Sequence, residues 1–102
     1  MVDLIEQNRA ELEGLCRRHA VERLELFGSA ASGEFRPAES DLDFLVEFRM
    51  LAPRDRADAY FGLLHGLEDL FRRRIDLVTN QAIQNRRYAR AVDRQRTLLY
   101  AA

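Results

Sequence analysis

Residues 26–48 read LFGSAASGEFRPAESDLDFLVEF, and the order of residue types in this stretch decides the fold. An apolar run over residues 24–27 stops at Gly28 and Ser29. Small residues there let a ligand approach the backbone, and a helical turn that follows would aim its free N–H groups at an anion. Polar and breaker residues continue through Gly33 and Pro37 to Ser40. Asp41 and Asp43 then flank Leu42 at the head of a second apolar run, residues 44–48. The period of two in a strand predicts both carboxylates on one face. Two adjacent carboxylates repel unless a cation joins them. Mg²⁺ suits that arrangement, because it favours one or two carboxylates plus substrate phosphates over an all-protein cage. A phosphate cradle beside an acidic pair is a nucleotide site in outline. The plain alternative is an ordinary turn at Gly28 and Ser29, with Asp41 and Asp43 on the wet side of an edge strand.

Working outward, Asp3 with Glu6 three residues later reads as an N-cap and capping box. Ile5, Leu12, Leu15, Cys16 and His19 recur at helical spacing and predict a helix over residues 3–19. Cys16 belongs to its core face. His19, near the end, reads as a half-buried or dipole-compensating residue rather than a ligand. Residues 21–27 alternate as a first strand, and residues 42–48 form a second. Pro53 opens a long helix whose apolar stripe is Ala57, Tyr60, Phe61, Leu64, Leu67, Leu70 and Phe71, with His65 outside it. Arg72, Arg73 and Arg74 close that helix as a solvated, dipole-matched end. Residues 75–79, Ile-Asp-Leu-Val-Thr, are β-branched enough for a third strand. Asp76 interrupts that apolar run, and an acid inside a core strand needs a partner or a metal. If the strands pair, its neighbours in space are Asp41 and Asp43.

A last helix starts near Asn85, with Tyr88, Ala91 and Val92 inward and Arg86, Arg87, Arg90, Arg94 and Arg96 largely outward. The arginine face reads equally as a solvated surface or as one that meets a partner or an acceptor. Residues 97–100 either finish this helix or add a strand. The fold class predicted is α/β (α+β), a small mixed β-sheet flanked by helices, with residues 1–102 as a single domain.

Composition excludes several function classes. The chain has 102 residues, 47% of them hydrophobic and 32% charged, which leaves no room for a separate substrate-recognition domain. There is no disordered or transmembrane run, and Asp3 and Glu6 stand where a signal peptide needs apolar residues, so a cytoplasmic location is expected. One cysteine excludes an internal disulfide and a cysteine-rich zinc cluster. All sixteen basic residues are arginine, so Walker A and Schiff-base chemistry, which need lysine, are excluded. A net charge of −1 argues against wholesale nucleic-acid wrapping.

Gly28, Ser29, Gly33, Ser40, Asp41 and Asp43, with eleven residues between Ser29 and Asp41, resemble the signature of nucleotidyltransferases of the DNA polymerase beta type. Within that superfamily the chain is most similar to the minimal nucleotidyltransferase (MNT) antitoxins that pair with HEPN-domain toxins. The resemblance spans nearly the whole chain, including the Leu-Tyr-Ala-Ala ending at residues 99–102, and it implies the polymerase beta-like fold. Asp76 matches the family's third carboxylate. The family often has Arg just before the second Gly of the turn, where this chain has Ser32, which bears on one phosphate or partner contact and not on the metal site.

Taken together, the acidic pair and the lone acid of the third strand predict that Asp41, Asp43 and Asp76 hold two Mg²⁺ ions, with Asp76 also the general base toward an acceptor hydroxyl. Gly28 and Ser29, with Ser40, are the expected nucleotide-binding residues. The resemblance implies ATP as donor and a tyrosine of a HEPN-type RNase toxin as acceptor, whose adenylylation silences the toxin. No membrane association and no direct nucleic-acid binding are expected. A different class of function stays open: a non-catalytic antitoxin or binding module that neutralises its partner by occlusion. Transfer to a small molecule or an RNA end is a third reading, weakened by the lack of a second domain.

Overall fold

The computed structural model describes residues 3–27, 42–79 and 96–102 of the chain. The first helical signal is split into α1 (Asp3–Gln7) and α2 (Arg9–Arg18), so the single helix expected over residues 3–19 breaks at Asn8. The cause is local. The Asn8 side-chain amide donates to the Leu4 carbonyl at 2.8 Å and its backbone N–H to the Ile5 carbonyl at 3.2 Å, bonds that compete with helix continuation. The Glu6 carboxylate, expected in a capping box with Asp3, accepts from the Arg9 guanidinium at 2.8 Å. The apolar face itself is as expected: Ile5, Leu12, Leu15 and Cys16 are all in the core.

The described strands are β1 (Val21–Phe27), β2 (Leu42–Phe48), β3 (Ile75–Thr79) and β4 (Arg96–Ala101), and α3 (Pro53–Phe71) connects β2 to β3. They form one mixed sheet in the order β3-β2-β1-β4. β1 pairs antiparallel with both β2 and β4, and β2 pairs parallel with β3. A parallel pair needs a crossover, and α3 supplies it. The sheet and the three described helices make an α+β architecture, as the sequence predicts. The open choice over residues 97–100 is decided in favour of a strand, and Arg96, expected on the last helix, opens β4 as the register partner of Phe27.

The helices cover one face of the sheet. Leu24 and Leu26 of β1, Leu42, Phe44 and Val46 of β2, and Leu77 of β3 join Leu12, Leu63, Leu67 and Phe71 in one core cluster. Phe44 and Phe71 stack with centroids 6.0 Å apart. Leu99 is skipped in the β1–β4 register, where Leu24 meets Tyr100 and Glu25 meets Leu98. Its side chain is buried, and its carbonyl accepts from Arg9 Nη1 at 3.0 Å.

The stripe of α3 differs from the one expected. Ala59, Leu63, Leu67 and Phe71 are buried, with Tyr60, Leu64 and Leu70 partly so, whereas Ala57 and Phe61 are exposed. Two glycines explain the rotation. A Cβ on Gly62 would stand 2.6 Å from His19 Cε1, and one on Gly66 would stand 2.5 Å from Leu15 Cδ2. The centre of the packing face is therefore Gly62 and Gly66, against which α2 closes, and residues without side chains are invisible to a count of apolar positions. α3 ends on Arg72, in the left-handed conformation at φ 53°, whose N–H donates to the Glu68 carbonyl.

Candidate active site

Asp43 and Asp76 are register partners in the parallel pairing of β2 with β3. Adjacent strands run about 4.8 Å apart, and partners in register project to the same face. That face is the one away from the helices, because Leu42 and Phe44, which flank Asp43, and Leu77, beside Asp76, all enter the helix-covered core. Asp43 is half-buried and Asp76 is exposed. Asp76 is thus the more accessible of the two to an incoming ligand.

Two bonds hold this register. The Leu42 N–H donates to the Arg74 carbonyl at 3.3 Å, tying the head of β2 to the approach of β3. On the outer side, Tyr60 of α3 donates its hydroxyl to the Leu77 carbonyl at 2.7 Å. The Tyr60 ring meets Phe61 edge-on at 5.2 Å. Burial, and then the nearby charge of Asp76, push the Tyr60 phenol above its usual value, so it stays a hydrogen-bond donor at neutral pH.

Phe27, the last residue of β1, is the register partner of Asp43 on the other side. The chain therefore leaves β1 beside the acid pair. Gly28, Ser29, Ser40 and Asp41 lie outside the described residues, as do Ser32, Gly33 and the arginine face at Arg86, Arg87, Arg90 and Arg94. Of the expected site residues, Asp43 and Asp76 are the two that the described strands bring together. Two hard oxygen ligands side by side fit the donor set of Mg²⁺ completed by substrate phosphates. Among the described residues no group of three metal-ligating side chains assembles.

One residue of this face carried no signal in the sequence. Glu25 of β1 is 5% exposed, and its carboxylate accepts from Arg23 Nε at 2.7 Å. It stands opposite Leu45, one step diagonal from Asp43, so the face holds a third carboxylate set back from the rim. Only the pairing register of β1 could reveal that neighbour.

The remaining titratable candidates fall away from the site. Cys16 is buried in the core, and burial pushes its thiol up to about 12. His19 packs against Gly62, and burial followed by the charge of Arg18 lowers its pKa, which disfavours the cation that would compensate the helix dipole. His65 is exposed on α3, as the sequence predicts. A cavity of about 810 Å³, lined by Phe48, Arg49, Met50, Arg56 and Thr79 among others, opens at the other end of β2 from Asp43. No described helix is long and apolar enough to cross a membrane.

Comparison with known proteins agrees with this geometry. No curated protein sequence matches the chain. Among solved structures, one assigned as a minimal nucleotidyltransferase is 33% identical, covers 94% of this chain and 95% of its own, and superposes with a TM-score of 0.67. A chain of a toxin-antitoxin complex crystallised with AMP-PNP is 23% identical over 93% of this chain and 74% of its own, with a TM-score of 0.67. A chain of the complex of tri-AMPylated Shewanella oneidensis HEPN toxin with MNT antitoxin is 20% identical over 95% and 72%, with a TM-score of 0.58. The last two are likenesses of fold. The nucleotidyltransferase domain family matches residues 9–99, and this chain, with its acid pair in register across β2 and β3, belongs to that family.

Proposed function

We propose that the chain is a Mg²⁺-dependent protein adenylyltransferase. It moves AMP from ATP to a tyrosine hydroxyl of a HEPN-type RNase toxin and so acts as an antitoxin in the cytoplasm, as a single domain over residues 1–102. The observation that carries this reading is the register pairing of Asp43 with Asp76, on the sheet face away from the described helices, in a nucleotidyltransferase-family chain. The likeness of fold to chains from toxin-antitoxin complexes supports the choice of partner.

In this reading Asp41, Asp43 and Asp76 hold two Mg²⁺ ions, which when bound supply charge neutralisation for the triphosphate and Lewis acidity toward the reacting oxygens. Gly28 and Ser29 receive the β and γ phosphates through backbone N–H groups and the serine hydroxyl, with Ser40 beside them. The acceptor oxygen bonds to the α-phosphorus, the bond from that phosphorus to the bridging oxygen breaks, and pyrophosphate leaves. The acceptor proton passes to Asp76, whose exposure leaves it within reach of a protein-borne hydroxyl.

The test is intact-mass spectrometry of the protein encoded beside this one, after incubation with this chain, Mg²⁺ and each nucleoside triphosphate. The expected result is a gain of one or more AMP units with ATP, absent with Asp43→Asn. A stable complex with no mass gain would replace this reading with neutralisation by occlusion.

A further inference from the structure

Among the described strands β3, five residues long, lies at the edge of the sheet and pairs with β2 alone. It carries Asp76, so any slip or fraying of β3 moves one carboxylate of the pair relative to the other. The Leu77 carbonyl faces away from β2, and it is there that the Tyr60 hydroxyl bonds at 2.7 Å. The bond falls one residue beyond Asp76 and reaches from the middle of the crossover helix. The Tyr60 ring makes an edge-on contact with Phe61 at 5.2 Å.

We propose that Tyr60 is a positioning residue for the acid pair: by bonding the edge carbonyl of Leu77 it fixes β3 against α3 and so sets the separation of Asp76 from Asp43. The inference rests on the reading of Asp43 and Asp76 as metal-holding carboxylates. Its physical basis is that side chains supporting a ligand set typically govern metal affinity and rate by on the order of tenfold or more when removed. A core tyrosine with no such role would affect stability alone.

The opposite edge provides a matched control. There Arg9 bonds the edge carbonyl of Leu99 at 3.0 Å, also from a helix to a strand at the sheet margin, and β4 carries none of the expected acids. Tyr60→Phe and Arg9→Met each delete one such bond. Both variants would be compared with the wild-type chain by thermal unfolding, by the kcat and KM of nucleotidyl transfer, and by Mn²⁺ titration of the nucleotide-free protein, followed through paramagnetic broadening of the Asp43 and Asp76 amide resonances. Tyr60→Phe should lower kcat and weaken Mn²⁺ binding by on the order of tenfold, with KM for ATP little changed. Arg9→Met should leave kcat and Mn²⁺ affinity at wild-type values, whatever it does to the unfolding temperature.

Equal kcat and equal Mn²⁺ affinity in Tyr60→Phe and wild type would overturn the role of Tyr60 alone. Parallel losses in both variants would do the same, by reducing the effect to general stability. Mn²⁺ binding that weakens in Tyr60→Phe, in a wild-type chain with no transferase activity, would support the positioning role and overturn the proposed reaction. A wild-type chain with neither Mn²⁺ binding nor transfer would overturn both.

Discussion

Asp43 and Asp76 stand opposite each other in the parallel pairing of β2 and β3, thirty-three positions apart in the chain and one strand apart in space. Two carboxylates so placed offer a cation paired oxygen ligands. Asp43→Asn and Asp76→Asn should therefore each cut nucleotidyl transfer by roughly a hundredfold or more while the chain stays folded. Parallel kinetic and calorimetric measurements check this, and removal of divalent metal with a chelator should abolish transfer by the wild-type chain.

Two glycines in helices should respond to the same substitution with opposite signs. Gly14 of α2 has nothing within 4 Å of a built Cβ, so Gly14→Ala should stabilise the protein by about 0.5–1 kcal/mol through helix propensity. A Cβ on Gly66 would stand 2.5 Å from Leu15 Cδ2, and Leu15 is itself buried. Gly66→Ala should cost about 1–3 kcal/mol through overpacking. Denaturant unfolding of the two variants separates the effects.

Arg23→Met should destabilise the fold by about 1–3 kcal/mol, because it removes the 2.7 Å Arg23 Nε–Glu25 bond, a hydrogen bond to a charged group only 5% exposed. The double variant Arg23→Met/Glu25→Leu should recover much of that loss, since replacing a charged pair by apolar side chains is often neutral or stabilising. The comparison of unfolding free energies decides it.

Cys16 should resist thiol reagents in the folded protein at pH 8, since burial pushes its thiol up to about 12. The sign of the linkage follows. The folded state holds this proton more tightly than the unfolded chain, whose thiol titrates near 9.0. Its contribution to stability is complete below pH 9 and is lost as pH rises from there toward 12. A plot of stability against pH should fall less steeply above pH 9 in Cys16→Ala than in the wild type.

Much of this fold is legible in the residues themselves. Strand period places Leu24, Leu26, Phe44 and Val46 on one face, and it assigns Asp43 to the other, because alternation is a property of the extended backbone and needs no partner. The core face of α2 follows in the same way from the recurrence of Leu12, Leu15 and Cys16. The break at Asn8 is harder to see, because a short polar side chain in a helical pattern is compatible with either continuing or closing the turn. The exposure of Phe61 in place of Leu63 could not be read at all, since it depends on where α2 meets Gly62 and Gly66.

What the sequence determined by itself is the chemistry: which residue types are present, that Asp43 points away from an apolar run, and that Asp76 interrupts another. These are local facts, set by covalent spacing and backbone geometry. What only the tertiary structure decided is adjacency. The register that sets Asp76 beside Asp43, the diagonal approach of Glu25, and the reach of Tyr60 to the edge of β3 are all contacts between segments distant in the chain. Such contacts are chosen by the packing of α3 across the sheet, and a single residue of slip would send Asp76 to the opposite face.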